Sequence, residues 1–167
     1  MSILSSNPVR RAPWLVQRAL LAGLVVGVLD GLYVIVIYAW VKNVTTSARI
    51  FQNIARALLG PAAVEGGAAT VLLGLAMHFG VALGWSLAYA LLYRRWWALQ
   101  RLTRSTGGAL GVAVVYGTLV WVAMSQLIVP LTQNQGTPLF TAAWFTIWAA
   151  HLLCVGPPIA LLVRQRR

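Results

Sequence analysis

The chain has 167 residues, of which 60% are hydrophobic and 9% charged, against about 25% charged in a typical soluble domain. That balance excludes a water-soluble fold, because only a surface facing water needs charges. Thirteen Lys and Arg stand against two acids, Asp30 and Glu65. The basic residues sit between apolar runs and build no basic face, which excludes nucleic-acid recognition and leaves anionic lipid headgroups as their partners.

The first apolar run, Ala19 to Val41, follows Arg10, Arg11 and Arg18 as in a signal peptide. It is too long for an h-region and no small-residue cleavage site follows, so it reads as a retained anchor. Further runs cover Ala68 to Tyr93, Gly107 to Val129 and Thr141 to Val163. Each has about 20 residues or more, enough to cross roughly 30 Å of hydrocarbon. Amides in lipid must bond within their own segment, so all four are expected to be helices. Tyr38, Trp40, Tyr93, Trp96, Trp97 and Trp144 lie near the ends, as an interfacial aromatic belt does. The expectation is one all-α transmembrane domain over 1–167, a four-helix bundle.

Between the first two runs, residues 47–59 carry a different pattern. Arg49, Gln52, Asn53 and Arg56 share one helical face, and Ile50, Phe51, Ile54 and Leu58 the other. Thr46 or Ser47 caps the start and Gly60-Pro61 ends the helix. This is an amphipathic helix lying on the membrane surface or over the bundle mouth. Glu65, at the same mouth, is expected to pair with Arg49 or Arg56.

Ten Lys and Arg fall on the N-terminal segment, the second loop and the C-terminal tail, and three on the first loop. The positive-inside rule then places both termini in the cytoplasm.

Three ionisable residues lie inside spans: Asp30, His78 and His151. At a rise of about 1.5 Å per residue, Asp30 stands about 18 Å from Arg18, His151 about 20 Å from Arg164 and His78 about 24 Å from Arg94. All are near mid-membrane, where a charged side chain costs about 2.5–3.5 kcal/mol or more. Gly23 and Gly27 share the Asp30 side of their helix and allow a close neighbour. The second span carries a separate small-residue seam, Ala76, Gly80, Gly84 and Ala88. In the third span Gly111, Thr118 and Ser125 recur on one stripe. In the fourth, Pro157 and Pro158 remove the donors that Leu153 and Cys154 carbonyls would use, so a kink is expected near His151.

This polar centre admits four chemistries. The side chains hydrogen-bond to one another and fix helix register. Asp30 titrates, with the histidines as relays, in a proton or ion pathway. A b-type haem sits between His78 and His151. Or a soft metal binds His151 and Cys154, with Asp30. The single cysteine excludes an internal disulfide. No hydrolase elbow, Walker loop, HExxH or CxxC is present, so the reading is non-enzymatic.

The stretch Leu59-Gly60-Pro61-Ala62-Ala63-Val64-Glu65-Gly66-Gly67, then Gly74 to Phe79, Asp30-Gly31, and His151 to Ala160 through Gly156-Pro157-Pro158, carry a resemblance. The chain resembles small four-span bacterial inner-membrane proteins similar to the YagU group, which is associated with acid resistance. The resemblance implies a multi-pass protein of the bacterial inner membrane and supplies no catalytic residue. Proton- or ion-linked transport or stress response is the function expected. The alternatives are an accessory subunit docking through the Gly80 and Gly84 seam, as a homo-oligomer or in a larger complex, and a haem-binding electron carrier.

Overall fold

The computed structural model describes residues 11–134 and 136–165, and all regular structure among them is helical. Four helices are long and apolar enough to cross a bilayer: Pro13–Val41, Gly67–Arg95, Thr106–Leu131 and Ala142–Val163. We label the elements α1 (Arg11–Val34), α2 (Ser47–Leu59), α3 (Gly67–Arg95), α4 (Trp97–Leu102), α5 (Thr106–Val122), α6 (Ala142–Ala150) and α7 (Gly156–Val163). The first and third spans continue as wider π-helical turns at Ile35–Val41 and Ala123–Ile128. A third such turn, His151–Val155, joins α6 to α7 inside the fourth span.

The first span begins earlier than hydropathy alone places it. Arg18 does not end the apolar run, because its guanidinium stacks over Trp14 at 4.5 Å and donates to the carbonyls of Leu162 and Arg164 at 3.2 and 2.7 Å. The charge is thereby held at the basic end of the bundle while the stem packs along it.

The spans pack in the order α3, α1, fourth span, α5 around the bundle. Small residues set the approach. Gly23 and Gly27 of α1 lie against Leu83 and Phe79 of α3. Gly117 of α5 lies against the His151 backbone, and Gly156 fits against the Ala113 carbonyl. The core clusters toward the basic end, where Ala19, Ala22, Ala113, Ile159, Ala160 and Val163 are fully buried. α3 and α5 meet there through long aromatic side chains: Tyr116 Oη donates to Trp85 O at 2.7 Å, and the Tyr89 and Tyr116 rings meet edge to face at 4.8 Å. Further along, the two helices part. A cleft of about 330 Å³, lined by Val81, Gly84, Trp85, Met124 and Ile128, opens between them.

α2 covers the other end. Thr46 Oγ1 accepts from Arg49 N at 3.2 Å as the N-cap, and Gly60 closes the helix at a φ of 73°, a left-handed conformation that glycine adopts without strain. α2 is not merely laid on the membrane: it docks on α3, with the Phe51 carbonyl seated where Gly74 has no side chain. Its facing differs from the simple two-sided pattern. Gln52, expected on the polar side, is buried and donates to Gly67 O at 3.3 Å. The physical reason lies at the start of α3, where the Gly67 carbonyl accepts from both Gln52 Nε2 and Thr70 Oγ1. Leu58 and Leu59 remain exposed on the side left for lipid. Asn134 Nδ2 donates to Asn53 O at 2.8 Å, so the third loop is tied to the same cap.

These contacts make the glycines unequal. Gly156→Ala and Gly74→Ala place a methyl against a backbone carbonyl and are expected to destabilise by about 1–3 kcal/mol. Gly111 is exposed with open space around it, so Gly111→Ala is expected to be neutral or to stabilise by up to about 1 kcal/mol through helix propensity. Unfolding in mild detergent reads the difference, and equal effects at all three positions would contradict this packing.

Candidate functional site: a carboxylate beside a broken helix

The site is built where α1 passes the wide turn of the fourth span. The glycine stripe Gly23, Gly27, Gly31 faces α3, and a Cβ at Gly31 would lie 3.3 Å from the His78 ring. Asp30, one position round the helix from Gly31, is carried off that seam. The Tyr33 hydroxyl and the Cys154 thiol both lie within electrostatic reach of its carboxylate. Tyr33 Oη in turn donates to Thr146 O of α6 at 3.1 Å. Asp30 Oδ1 is buried and has no hydrogen-bond partner.

The wide turn follows directly from two prolines. In a regular helix the carbonyls of Leu153 and Cys154 would receive the amides of residues 157 and 158, and both are proline. The Gly156 amide reaches back five residues to His151 O, so Leu152 O loses its regular donor as well. Three successive carbonyls are therefore left without helical donors on the span that faces Asp30. α5 accommodates the turn because Gly117 and Ala113 offer it no large side chain.

The histidines are placed differently. His78 Nε2 lies 2.8 Å from Gly27 O, and the ring is held edge-on by Phe51 at 6.1 Å and Phe79 at 5.6 Å. It pins α1, α2 and α3 together. His151 Nδ1 lies 2.9 Å from Ile147 O of its own helix. Asp30, His78 and His151 make no hydrogen bond to one another. A haem between the histidines would require His78 to ligate through Nδ1 or to release Gly27 O. Among the described residues no group of three or more His, Cys, Asp or Glu is placed to hold a metal ion.

The other candidates also have defined places. Cys154 is half-buried, within electrostatic reach of Asp30. At the capped end Arg49 Nη1 donates to Val64 O at 2.8 Å, Arg56 Nε is buried without an acceptor, and Glu65 is exposed. The expected pair with Glu65 does not form among the described residues, since the backbone carbonyl of Val64 occupies Arg49. Gly80 and Gly84 are exposed, and a methyl added at either would meet nothing within 4 Å, whereas Gly23 and Gly27 are fully used. Thr118 accepts from Trp148 Nε1 at 3.1 Å and Ser125 donates to Trp121 O at 2.6 Å, so the hydroxyl stripe serves the tryptophan cluster and not Asp30.

Tyr33 is the site residue that sequence reasoning missed. Its signal was present: it lies three positions after Asp30 and so shares its face. No protein-family model, curated protein or solved structure matches the chain. The four apolar helices nonetheless establish a small multi-pass membrane protein.

Two neighbouring tyrosines test the polar bookkeeping of the bundle. Tyr116 makes its hydrogen bond, while the Tyr89 hydroxyl is fully buried with no partner. Tyr116→Phe is expected to cost about 1 kcal/mol and Tyr89→Phe to be neutral or stabilising. Thermal unfolding of the two variants checks the order, and the reverse order would contradict it.

Proposed function

We propose that this protein exchanges a proton or a small cation at Asp30, as part of proton- or ion-linked transport or a stress response in the bacterial inner membrane. One observation carries the reading: the Asp30 carboxyl has a buried oxygen with no partner, next to a span whose carbonyls lack donors. A bare carboxylate at this depth costs about 2.5–3.5 kcal/mol or more, and a bound proton or cation removes that cost. Carbonyls at the end of a broken helix supply the neutral oxygens by which membrane transporters hold such ions. Tyr33 and Cys154 lie within electrostatic reach of the site, and His78 keeps α1 seated on α3 through Gly27. The ten-to-three split of basic charge supports a cytoplasmic location for both termini.

The decisive measurement is flux in liposomes. Asp30→Asn is expected to lower proton or cation flux by roughly tenfold or more, the factor that about 1.4 kcal/mol of lost binding represents. Asp30→Glu should retain part of it. Undiminished flux in a folded Asp30→Asn protein removes the reading.

A second reading is favoured by the open seam of Ala76, Gly80, Gly84 and Ala88, all exposed on α3. Small residues of this spacing pack transmembrane helices closely, which fits an accessory subunit or homo-oligomer. On that reading Gly84→Leu shifts the protein to a smaller species in mild detergent, and an unchanged elution position counts against it.

A further inference from the structure

The basic end of the bundle contains a buried cation with no acid to balance it. Arg164 is 6% exposed. Its Nη1 donates to Ser105 O at 3.1 Å and its Nη2 to Thr106 Oγ1 at 3.3 Å, while Nε is buried without an acceptor. Arg18 Nη1 holds the Arg164 carbonyl from α1. The chain's two acidic side chains are elsewhere, Asp30 within the first span and Glu65 at the capped end. Every acceptor given to Arg164 is neutral.

The guanidinium is also in an unfavourable place for a cation. It lies against the first turn of α5, the end of a helix that carries about half a unit of positive charge. Cations belong at the opposite end. Ser105 Oγ caps the Gly108 amide at 3.0 Å and Ser105 O takes the Ala109 amide at 3.0 Å. The amides of Thr106 and Gly107 precede the first helical acceptor and have no partner inside the helix. Both residues are exposed, and a side chain added at Gly107 would meet nothing within 4 Å. A buried guanidinium and two open amides thus share the first turn of α5, with free space beside Gly107.

The depth of that spot identifies what is nearby. α4, immediately before it, exposes Trp97 and follows the exposed Trp96, and Arg101 lies over the Trp97 ring at 5.3 Å. Exposed tryptophans flanked by arginine mark the headgroup layer. Arg104, the residue before the cap, is exposed there too.

We propose that the N-terminus of α5 binds one phosphate group, held by the Thr106 and Gly107 amides over the Arg164 guanidinium, and that its source is the headgroup of an anionic phospholipid. The phosphate supplies the missing negative charge to Arg164 and the acceptor to both amides. Because Arg164 and Arg18 also join α1, α5 and the fourth span, a bound lipid strengthens the closure of the bundle at this end. The site is separate from Asp30, and either can fail without the other.

The test uses the full chain in nanodiscs of phosphatidylcholine, with and without phosphatidylglycerol. Retained lipid is read by native mass spectrometry and stability by the thermal midpoint. The wild type is expected to retain phosphatidylglycerol in preference to phosphatidylcholine and to gain stability from it. Arg164→Gln should weaken retention about tenfold, the worth of one hydrogen bond to a charged group, and Arg164→Lys should keep most of it. Thr106→Pro supplies a second arm, in which Arg164 also loses the Thr106 hydroxyl. It removes one amide, yet Ser105 is already extended at φ −85° and ψ 154°, so proline fits the helix start. The same loss is expected. A parallel titration with inorganic phosphate in detergent separates the sources: stabilisation by phosphate without retention of phosphatidylglycerol would assign the seat to a soluble anion and overturn the lipid. Retention unchanged in both Arg164→Gln and Thr106→Pro, or a wild type indifferent to both ligands, would overturn the site.

Discussion

In hydrocarbon a backbone carbonyl has no water to fall back on, and Pro157-Pro158 prevents the fourth span from satisfying its own. The rest of the structure is arranged around that fault. The helix widens so that Gly156 bonds His151 O. α5 meets the widened turn with Gly117, where a side chain would collide with the His151 backbone, and with the Ala113 carbonyl against Gly156. α1 meets it with Asp30 and Tyr33, the latter bonding back to α6 across the break. A regular fourth helix would satisfy its own carbonyls and would not need the close approach of Gly117.

The two ends of the bundle are held by different forces. At the basic end alanines and glycines bring backbones close, and dispersion over many short contacts does the holding. Arg18 and Arg164 add backbone-directed hydrogen bonds between spans that are far apart in the chain. At the capped end the spans are farther apart and wider side chains fill the gap. Trp121, Trp144 and Trp148 cluster between α5 and α6, edge to face or tilted, at centroid distances of 4.4 to 6.5 Å. α2 then bridges α3 and the third loop through Gln52, Asn53 and the Phe51 backbone. Asp30 lies between the two regimes, at the level where close packing gives way to a looser, aromatic half.

How far this was legible from sequence depends on whether a feature is local. The four spans, the Thr46 cap, the Gly60 stop and the strain at Pro157-Pro158 depend on residues next to one another, and they can be read directly. The use of Gly23 and Gly27 could be read because small residues at a four-residue spacing announce a close neighbour. The neighbour itself could not. Gly80 and Gly84 carry the same signal on α3 and face open space, since which side of a helix meets its partner is set by the order of spans around the bundle. Gln52 shows a second limit. Periodicity assigned it to the polar face, but the Gly67 carbonyl offers it an acceptor inside the fold in place of water. The histidines show a third. Their depth was readable, but His78 is committed to Gly27 O and His151 to Ile147 O, and carbonyl partners leave no trace in the identity of the residue that offers them.

Charge gives the last constraint. A chain with thirteen basic side chains and two acidic ones cannot neutralise itself. Most of the excess is at the surface, where solvent and headgroups screen it. Arg164 is the exception, since burial removes it from that screening and places it against a helix end of the same sign. Asp30 is the mirror case, an acid with a buried oxygen that no donor in the described residues reaches. The fold keeps these two opposite groups apart, one at the headgroup layer and one near mid-membrane, so neither can serve as the other's counter-ion. On the two readings proposed above, an anion completes the basic end and a cation or proton the centre, and the bundle between them holds the two groups at separate depths.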